Sequence, residues 1–312
     1  MTIPLGFIGT GSLGGEMARR LLDAGYPVIV LDPNPAAVTP LKERGAKVAA
    51  TPREVADTAE IVFATLPSAK VSREVALGPD GVVKGKAVKI YVEMSTIGKA
   101  EIMAIEEGLR PSGIGLLDAP VTGGRPRARE GKLAMIVSGA PELYERARPV
   151  LSILAHKIFY VSEKAGLSQV AKVVNNIVSG AGKVASFEAV VTAVKAGINA
   201  RMMIDIINAG TGRNVTTADK FPAAILNRTF KYGGQLRNGL KDAQLFLDEA
   251  KSLGVHLWVT PKVLEMYQDA AANGYLEGDG MGIYKFVQKL AGLDPDAQVP
   301  EPEHPKKDAA TG

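Results

Sequence analysis

Lys172 and Asn176 stand four residues apart in the stretch AKVVNNIVSGAGKVASFEAVVTAVK, a spacing that puts both side chains on one face of a helix about a turn apart. An ammonium and a carboxamide are expensive to bury among Ala, Val, Ile and Gly unless something satisfies or uses them. An amine can take a proton from an alcohol or return one in the reverse direction, and an amide one turn on can orient the same oxygen without competing for the proton. A lysine snorkelling to solvent beside a core asparagine explains the pair equally well on this helix alone. The small and apolar residues around the pair predict one long helix from Lys164 to Lys195.

The elements that would position such a pair begin at the N-terminus. Leu5 to Gly9 is a short apolar run, GTGSLG follows with Gly9, Gly11 and Gly14, and GEMARRLLDAG then has helical periodicity. In a strand, glycine turn and helix of this kind, the first glycine makes the tight turn, the second lets a pyrophosphate approach the backbone, and the third lets helix pack on strand. The phosphates would sit on the helix N-terminus, where free amides and the positive dipole end converge. The whole turn, Gly9, Gly11, Ser12, Leu13 and Gly14, is therefore expected to bind a dinucleotide. The next strand, PVIVL, ends in Asp32, at about the interval where an acid binds the adenine ribose diol. Pro33 and Asn34 follow rather than an arginine, and a carboxylate there repels a 2′-phosphate, so NAD is expected in preference to NADP.

Apolar strands continue to alternate with helical segments through IVFATLP, SREVALG and VKIYVEMST, which predicts a parallel, doubly wound sheet. Ligands of such sheets lie beyond the strand carboxyl ends. That rule selects Leu66 and Pro67 after one strand and Ser95 and Thr96 after another, although Ser95 or Thr96 could also cap the following helix. GLLDAPVTGG leads through Asp118 to Thr122, Gly123 and Gly124, whose amides and hydroxyl could cradle a carboxylate or simply form a turn after a strand. The run RPRARE after it reads as solvated surface.

Composition limits the alternatives. A chain of 312 residues, 46% hydrophobic and 22% charged, can bury a full core and is expected to form two domains. No apolar run reads as long enough to cross a bilayer and the start lacks a signal-peptide pattern, so a cytoplasmic location without membrane association is expected. Having no cysteine, the chain has no disulfide or thiolate chemistry, and its three scattered histidines suggest no metal cluster. The net charge of +4 is mild and the basic residues are dispersed, which gives nucleic-acid binding little support.

These pieces resemble the β-hydroxyacid dehydrogenases, the family of 3-hydroxyisobutyrate dehydrogenase, tartronate semialdehyde reductase and, more distantly, 6-phosphogluconate dehydrogenase. The resemblance runs through GFIGTGSLGGEMARRLLDAGY, TLP, Ser95-Thr96, DAPVTGG, KVVNN and GLKDAQLFLDEA. It implies an α/β chain: an N-terminal Rossmann domain over residues 1–163 and an all-helical domain over 164–293, joined by the long helix. The Pro-rich segment 294–312 is expected to be disordered. The resemblance also implies that Lys172 transfers the proton, that Asn176 helps hold the substrate, and that Thr122, Gly123 and Gly124 contact its carboxylate. Lys241 would reach toward nicotinamide and substrate, Asp242 would support the local structure, and a homodimer or homotetramer would form. Because a nicotinamide accounts for the hydride and not for the hydroxyl proton, a positioned base such as Lys172 fits the chemistry. The expected reaction is hydride transfer between NAD and a short 3-hydroxy acid or its semialdehyde.

Departures from the family pattern bear on the substrate. Thr122 stands where many relatives have serine, and Arg127 and Lys132 where small residues are common. The segment before Lys241 is GGQLRNG rather than aromatic or apolar. Gln235, Arg237 and Asn238 could thus face a more polar or acidic substrate, or form a solvated loop. Two other readings compete: a dinucleotide-binding scaffold without activity, and a short-chain dehydrogenase using Tyr160 and Lys164, although KIFYV around Tyr160 reads as strand.

Overall fold

The computed structural model describes residues 3–297. The chain forms two compact units, divided between Val174 and Asn175.

The first unit is built on strands β1 (Leu5–Ile8), β2 (Val28–Leu31), β3 (Lys47–Val48), β4 (Ile61–Ala64), β5 (Ile90–Glu93), β6 (Gly115–Asp118), β7 (Val121–Thr122), β8 (Leu133–Ser138) and β9 (Ala155–Ser162). Their order is β3-β2-β1-β4-β5-β6-β8-β7, with β9 on β8. The six strands from β3 to β6 in that order are parallel, which is the doubly wound arrangement expected. The sheet departs from a wholly parallel one at β8, which runs antiparallel to both β6 and β7. Helices α1 (Gly14–Asp23), α2 (Pro35–Lys42), α3 (Pro52–Thr58), α4 (Ala69–Leu77), α5 (Lys99–Leu109), α6 (Gly124–Glu130) and α7 (Pro141–Leu154) connect the strands.

The period-two alternation of the strands feeds two cores. Leu5 and Phe7 pack with Met17, Leu21, Val150 and Leu151, whereas Ile8 packs in a separate cluster with Val55, Ile102 and Ile105. Burying both faces of the sheet is why its central strands are uniformly apolar. Local chemistry starts the helices: Asn34, Thr51 and Ser68 accept hydrogen bonds from the first-turn amides of α2, α3 and α4, and Pro35 and Pro52 occupy the first helical position.

Three local readings are decided by the structure here. The RPRARE segment lies on the helix α6 and is exposed except at Ala128, as expected, while Arg125 and Arg129 also reach the Glu16 carboxylate of α1 at 3.2 and 3.0 Å. Burial opposes the charge on Glu16, but the guanidiniums of Arg129, Arg125 and Arg19 outweigh it and hold the carboxyl below its usual range. Neither Ser95 nor Thr96 caps the next helix, because α5 is preceded by Gly98, which has no side chain to do so. Tyr160 lies on β9, with its hydroxyl donated to the Gly139 carbonyl at 2.8 Å, so Tyr160 and Lys164 do not share the helix a short-chain dehydrogenase would need.

The long helix α8 covers Leu167–Lys195, starting three residues later than expected. By length and composition it is apolar enough to cross a membrane, contrary to the sequence reading. Its apolar residues serve a core instead: Ile177, Val184, Phe187, Val190 and Val191 are buried in the second unit. That unit continues with α9 (Ala200–Ala209), a wide-turned π segment (Thr216–Ile225), α10 (Leu236–Ser252), α11 (Thr260–Ala270) and α12 (Ile283–Leu290). Phe187, Phe221 and Tyr284 meet edge to face at 5.3–5.7 Å in its centre. Of the expected disordered tail, Asp294 to Ala297 are described, and Asp296 pairs with Lys285 at 2.7 Å; the remainder lies outside the described residues.

Candidate functional site

The glycine turn has three different glycines for three different reasons. Gly9 has φ +84°, and a Cβ on it would lie 2.2 Å from the Thr65 carbonyl oxygen. A Cβ on Gly14 would lie 2.0 Å from the Gly9 oxygen and 2.3 Å from Thr65 Oγ1, so helix and strand approach too closely for any side chain. Gly11 is the opposite case, with no atom within 4 Å of where its Cβ would be. A wall at the first and third positions and open space at the second is the shape a pyrophosphate needs beside the N-terminus of α1. A dinucleotide therefore fits the residues present. Ser12 and Leu13 complete the turn, and Leu66 borders it, its Cδ2 lying 3.2 Å from the Cβ position of Gly9, with Pro67 following.

Asp32 follows β2 and spans the same turn, accepting from Thr10 N through Oδ2 and from Asn34 N through Oδ1, both at 2.8 Å. The negative charge is thus fixed in place rather than left on a mobile side chain. Ser95 is placed differently from a ligand. Its hydroxyl accepts from Leu66 N at 2.6 Å, its amide donates to Glu93 Oε1 at 2.9 Å, and its carbonyl accepts from Gln169 Nε2 at 3.0 Å. Ser95 therefore braces neighbouring strand ends, and Thr96 is the more exposed of the two. The Glu93 carboxyl beneath it is fully buried; desolvation lifts it above its ordinary range, against the Ser95 and Tyr91 hydrogen bonds.

Thr122 ends β7, and Gly123 and Gly124 open α6 with φ of +130° and +71°. These left-handed conformations need glycine and present consecutive amides at the loop. Of the departures in sequence, Lys132 pairs with Glu130 at 2.9 Å on the surface, and Arg237 is engaged by Glu277. Gln235 stands before α10 and bridges to Asp279.

Asp118, at the end of β6, holds the start of the long helix. The residue before α8 is Gly166, which has no capping side chain, and Asp118 substitutes for one from across the sheet. Its Oδ2 accepts from Gly166 N at 3.1 Å, Gln169 N at 3.2 Å and Ser138 Oγ at 3.2 Å, and its Oδ1 accepts from Gln169 Nε2 at 2.7 Å. Gln169 Oε1 in turn accepts from Ile97 N and Gly98 N at 2.9 and 3.0 Å. Desolvation lifts the Asp118 carboxyl to about 7 despite these four donors. Asp118, Gln169 and Glu93 were not singled out from the sequence. The signal available was a polar letter at the end of an apolar strand.

Three residues beyond Gln169, Lys172 is only 8% exposed. Asn176 lies one turn further along the same continuous helix, so the helical spacing read from the sequence holds. In the second unit, Asn176 Nδ2 donates to Asp242 Oδ2 at 2.7 Å, and Lys241 Nζ sits 3.0 Å from Asp242 Oδ1. One carboxylate on α10 thus orients both the amide on α8 and its own neighbour's amine. An amide nitrogen has two hydrogens, and Asp242 takes one of them.

Comparison with known proteins places the chain in a family. Residues 4–162 match the family model described as the NAD binding domain of 6-phosphogluconate dehydrogenase. Residues 166–287 match that described as NAD-binding of NADP-dependent 3-hydroxyisobutyrate dehydrogenase. The chain is 30% identical over 293 residues to 2-(hydroxymethyl)glutarate dehydrogenase of Eubacterium barkeri, covering 94% of this chain and 97% of that one. It is 34% identical over 256 residues to 3-hydroxyisobutyrate dehydrogenase of Pseudomonas aeruginosa, covering 80% and 86%. Among solved structures, 3-hydroxyisobutyrate dehydrogenase from Salmonella typhimurium superposes with a TM-score of 0.83 at 28% identity, covering 91% of this chain and 99% of that one. Two domain matches in the expected order and full-length similarity to dehydrogenases show that the chain belongs to the β-hydroxyacid dehydrogenase family, as an NAD(P)-dependent hydroxyacid dehydrogenase.

Proposed function

We propose that this enzyme catalyses reversible hydride transfer between NAD and a short 3-hydroxy acid or its semialdehyde, with Lys172 as general acid and base. The observation that carries this reading is a buried Lys172 three residues beyond Gln169, where Asp118 anchors α8. When bound, the nicotinamide supplies a hydride acceptor or donor. In oxidation, Lys172 Nζ takes the hydroxyl proton; in reduction it returns one to the carbonyl oxygen. Burial is one of the two ways a protein makes a neutral amine available for such work, the other being a nearby positive charge. Asn176, held by Asp242, orients the oxygen. The amides of Gly123 and Gly124 and the Thr122 hydroxyl hold the carboxylate, which fixes which carbon faces the ring.

The cofactor would be held by Gly9, Gly11, Ser12, Leu13 and Gly14, with Leu66, Pro67, Thr96 and Lys241 bordering it and Ser95 bracing its floor. The pinned carboxylate of Asp32 supports NAD over NADP, because it can accept from a ribose diol and repels a phosphate. A homodimer or homotetramer, as in the family resemblance, is the proposed assembly, to be checked by light scattering.

The test is absorbance at the reduced-nicotinamide band, with purified enzyme, each of the two nicotinamides and a panel of 3-hydroxy acids. Turnover of one or more acids with NAD is expected. Silence on every acid with either cofactor would instead support a dinucleotide-binding scaffold.

A further inference from the structure

Eleven residues after Lys172, on the same helical stripe as Lys172 and Asn176, the helix carries a second lysine, Lys183. Its side chain lies in the second unit and is only 8% exposed. Among the described residues its amine makes no hydrogen bond or ion pair; its contact is the face of Tyr267, 4.6 Å away. Tyr267 is itself buried, and its hydroxyl lies 3.1 Å from the Cβ position of Gly180, so its ring lines the helix wall between the Asn176 and Lys183 turns. Helical side chains lean toward the N-terminus. The Lys183 amine is therefore nearer to Asn176 than the rise of about 10 Å between their backbones suggests.

The surroundings of the amine are built around a loop. Gly280 leaves room for it, a Cβ there lying 3.2 Å from Lys183 Nζ, and the Gly280 amide donates to the Gly234 carbonyl at 2.7 Å. Gly233 and Gly234 have open space where side chains would be. On the same loop, the Tyr232 ring lies 5.9 Å from the amine of Lys220, which is half-buried on the π segment. The anion facing both lysines is Asp279, with Asp219 also acting on Lys220. Asp279 is already committed, its Oδ2 to Tyr232 N and Gly233 N at 2.8 and 2.6 Å and its Oδ1 to Met281 N at 2.9 Å. Desolvation lowers Lys183 to about 8, and desolvation with the charge of Lys183 lowers Lys220 to about 8. Both amines therefore stay mostly protonated at neutral pH, and an incoming anion would stabilise that charge.

We propose that Lys183 and Lys220, flanking the Tyr232–Gln235 loop, form a subsite for a second carboxylate, so that the substrate is a 3-hydroxy acid with an additional terminal carboxylate. This rests on the reaction proposed above and names its substrate class. The terminal carboxylate docks against Lys183 beside Gly234 and Gly280, while the reacting end lies toward Asn176 and Lys172.

The test compares kcat/KM for 3-hydroxy acids ending in a carboxylate with acids of equal length ending in methyl. A charged hydrogen bond is worth enough to change affinity about tenfold or more. The wild type is expected to favour the carboxylate-ended acid by at least about that factor, mainly through KM. Lys183→Met should bring the ratio near one and leave the methyl-ended acid unchanged, whereas Lys183→Arg should retain the preference. A wild-type ratio near one, or an undiminished ratio in Lys183→Met, would overturn the proposal. If no hydroxy acid is turned over, the reaction reading fails on its own, and calorimetric titration with glutarate still tests the subsite. Binding weakened about tenfold by Lys183→Met supports it, and equal binding in both proteins overturns it. Should Lys183→Met fail to fold, Lys220→Gln takes its place in the same comparisons, with a smaller loss expected.

Discussion

Asp118→Asn removes a buried charge while keeping its shape, and its consequences can be worked from the structure. The carboxyl titrates near 7 in the folded protein against 3.8 in a free chain, because burial outweighs the donors around it. At about 1.4 kcal/mol per unit, the difference amounts to about 4 kcal/mol. The folded-state value is raised, so this contribution is fully present below the unfolded value near 4 and is lost as pH rises through 7. Asparagine does not titrate. The stability of the wild type relative to Asp118→Asn should therefore fall by about 3 kcal/mol between pH 5 and pH 8. Superimposed on this is a penalty that does not vary with pH: the new amide meets Gln169 Nε2 or the three donors at Oδ2 as another donor, which costs about 1–3 kcal/mol. Urea midpoints of both proteins from pH 5 to pH 8 measure the two effects separately, and curves that stay parallel across that range would refute the linkage. Because Lys172 follows Gln169 by less than one turn, loosening the first turn of α8 should also lower kcat by about tenfold to a hundredfold. Cofactor affinity should be unaffected.

Lys172→Ala is expected to lower turnover by about 10²–10⁴, with NAD binding by calorimetry unchanged; near-normal kcat would remove this residue from the mechanism. Gly11→Ala should leave the thermal midpoint within about a degree while weakening NAD, because its Cβ meets no protein atom. Gly14→Ala, whose Cβ would overlap the Gly9 carbonyl, should lower the midpoint markedly; equal melting of the two variants would contradict the roles given to them. Asp32→Ala should raise the ratio of NADP to NAD kcat/KM by about tenfold or more, as expected for losing a fixed charge beside the 2′ position, and an unchanged ratio in steady-state kinetics would show that Asp32 serves only the turn.

Local pattern was enough to read the glycine turn, the alternation of strands and helices, and the one-turn spacing of Lys172 and Asn176. Each depends on residues close in the chain and on periods of 2 and 3.6. The start of α8 was misplaced because its stop signal is not local: the anion at its N-terminus is Asp118, 48 residues before Gly166. Ser95 read as a cofactor contact or a helix cap because its hydroxyl suits either, and only the sheet order brings Leu66 N to it from 29 residues away. RPRARE read rightly as exposed, but its charges gave no sign of Glu16, more than a hundred residues earlier. A buried lysine and a solvated one are also written with the same letter. Arg237 and Lys132 drew notice in the sequence yet are engaged at the surface, whereas Lys183 passed as an ordinary helical residue. The sequence by itself determined the periodicities and the chemistry of individual side chains; tertiary structure decided which polar groups lost their water and which partners met them, because desolvation depends on neighbours that the chain supplies from far away.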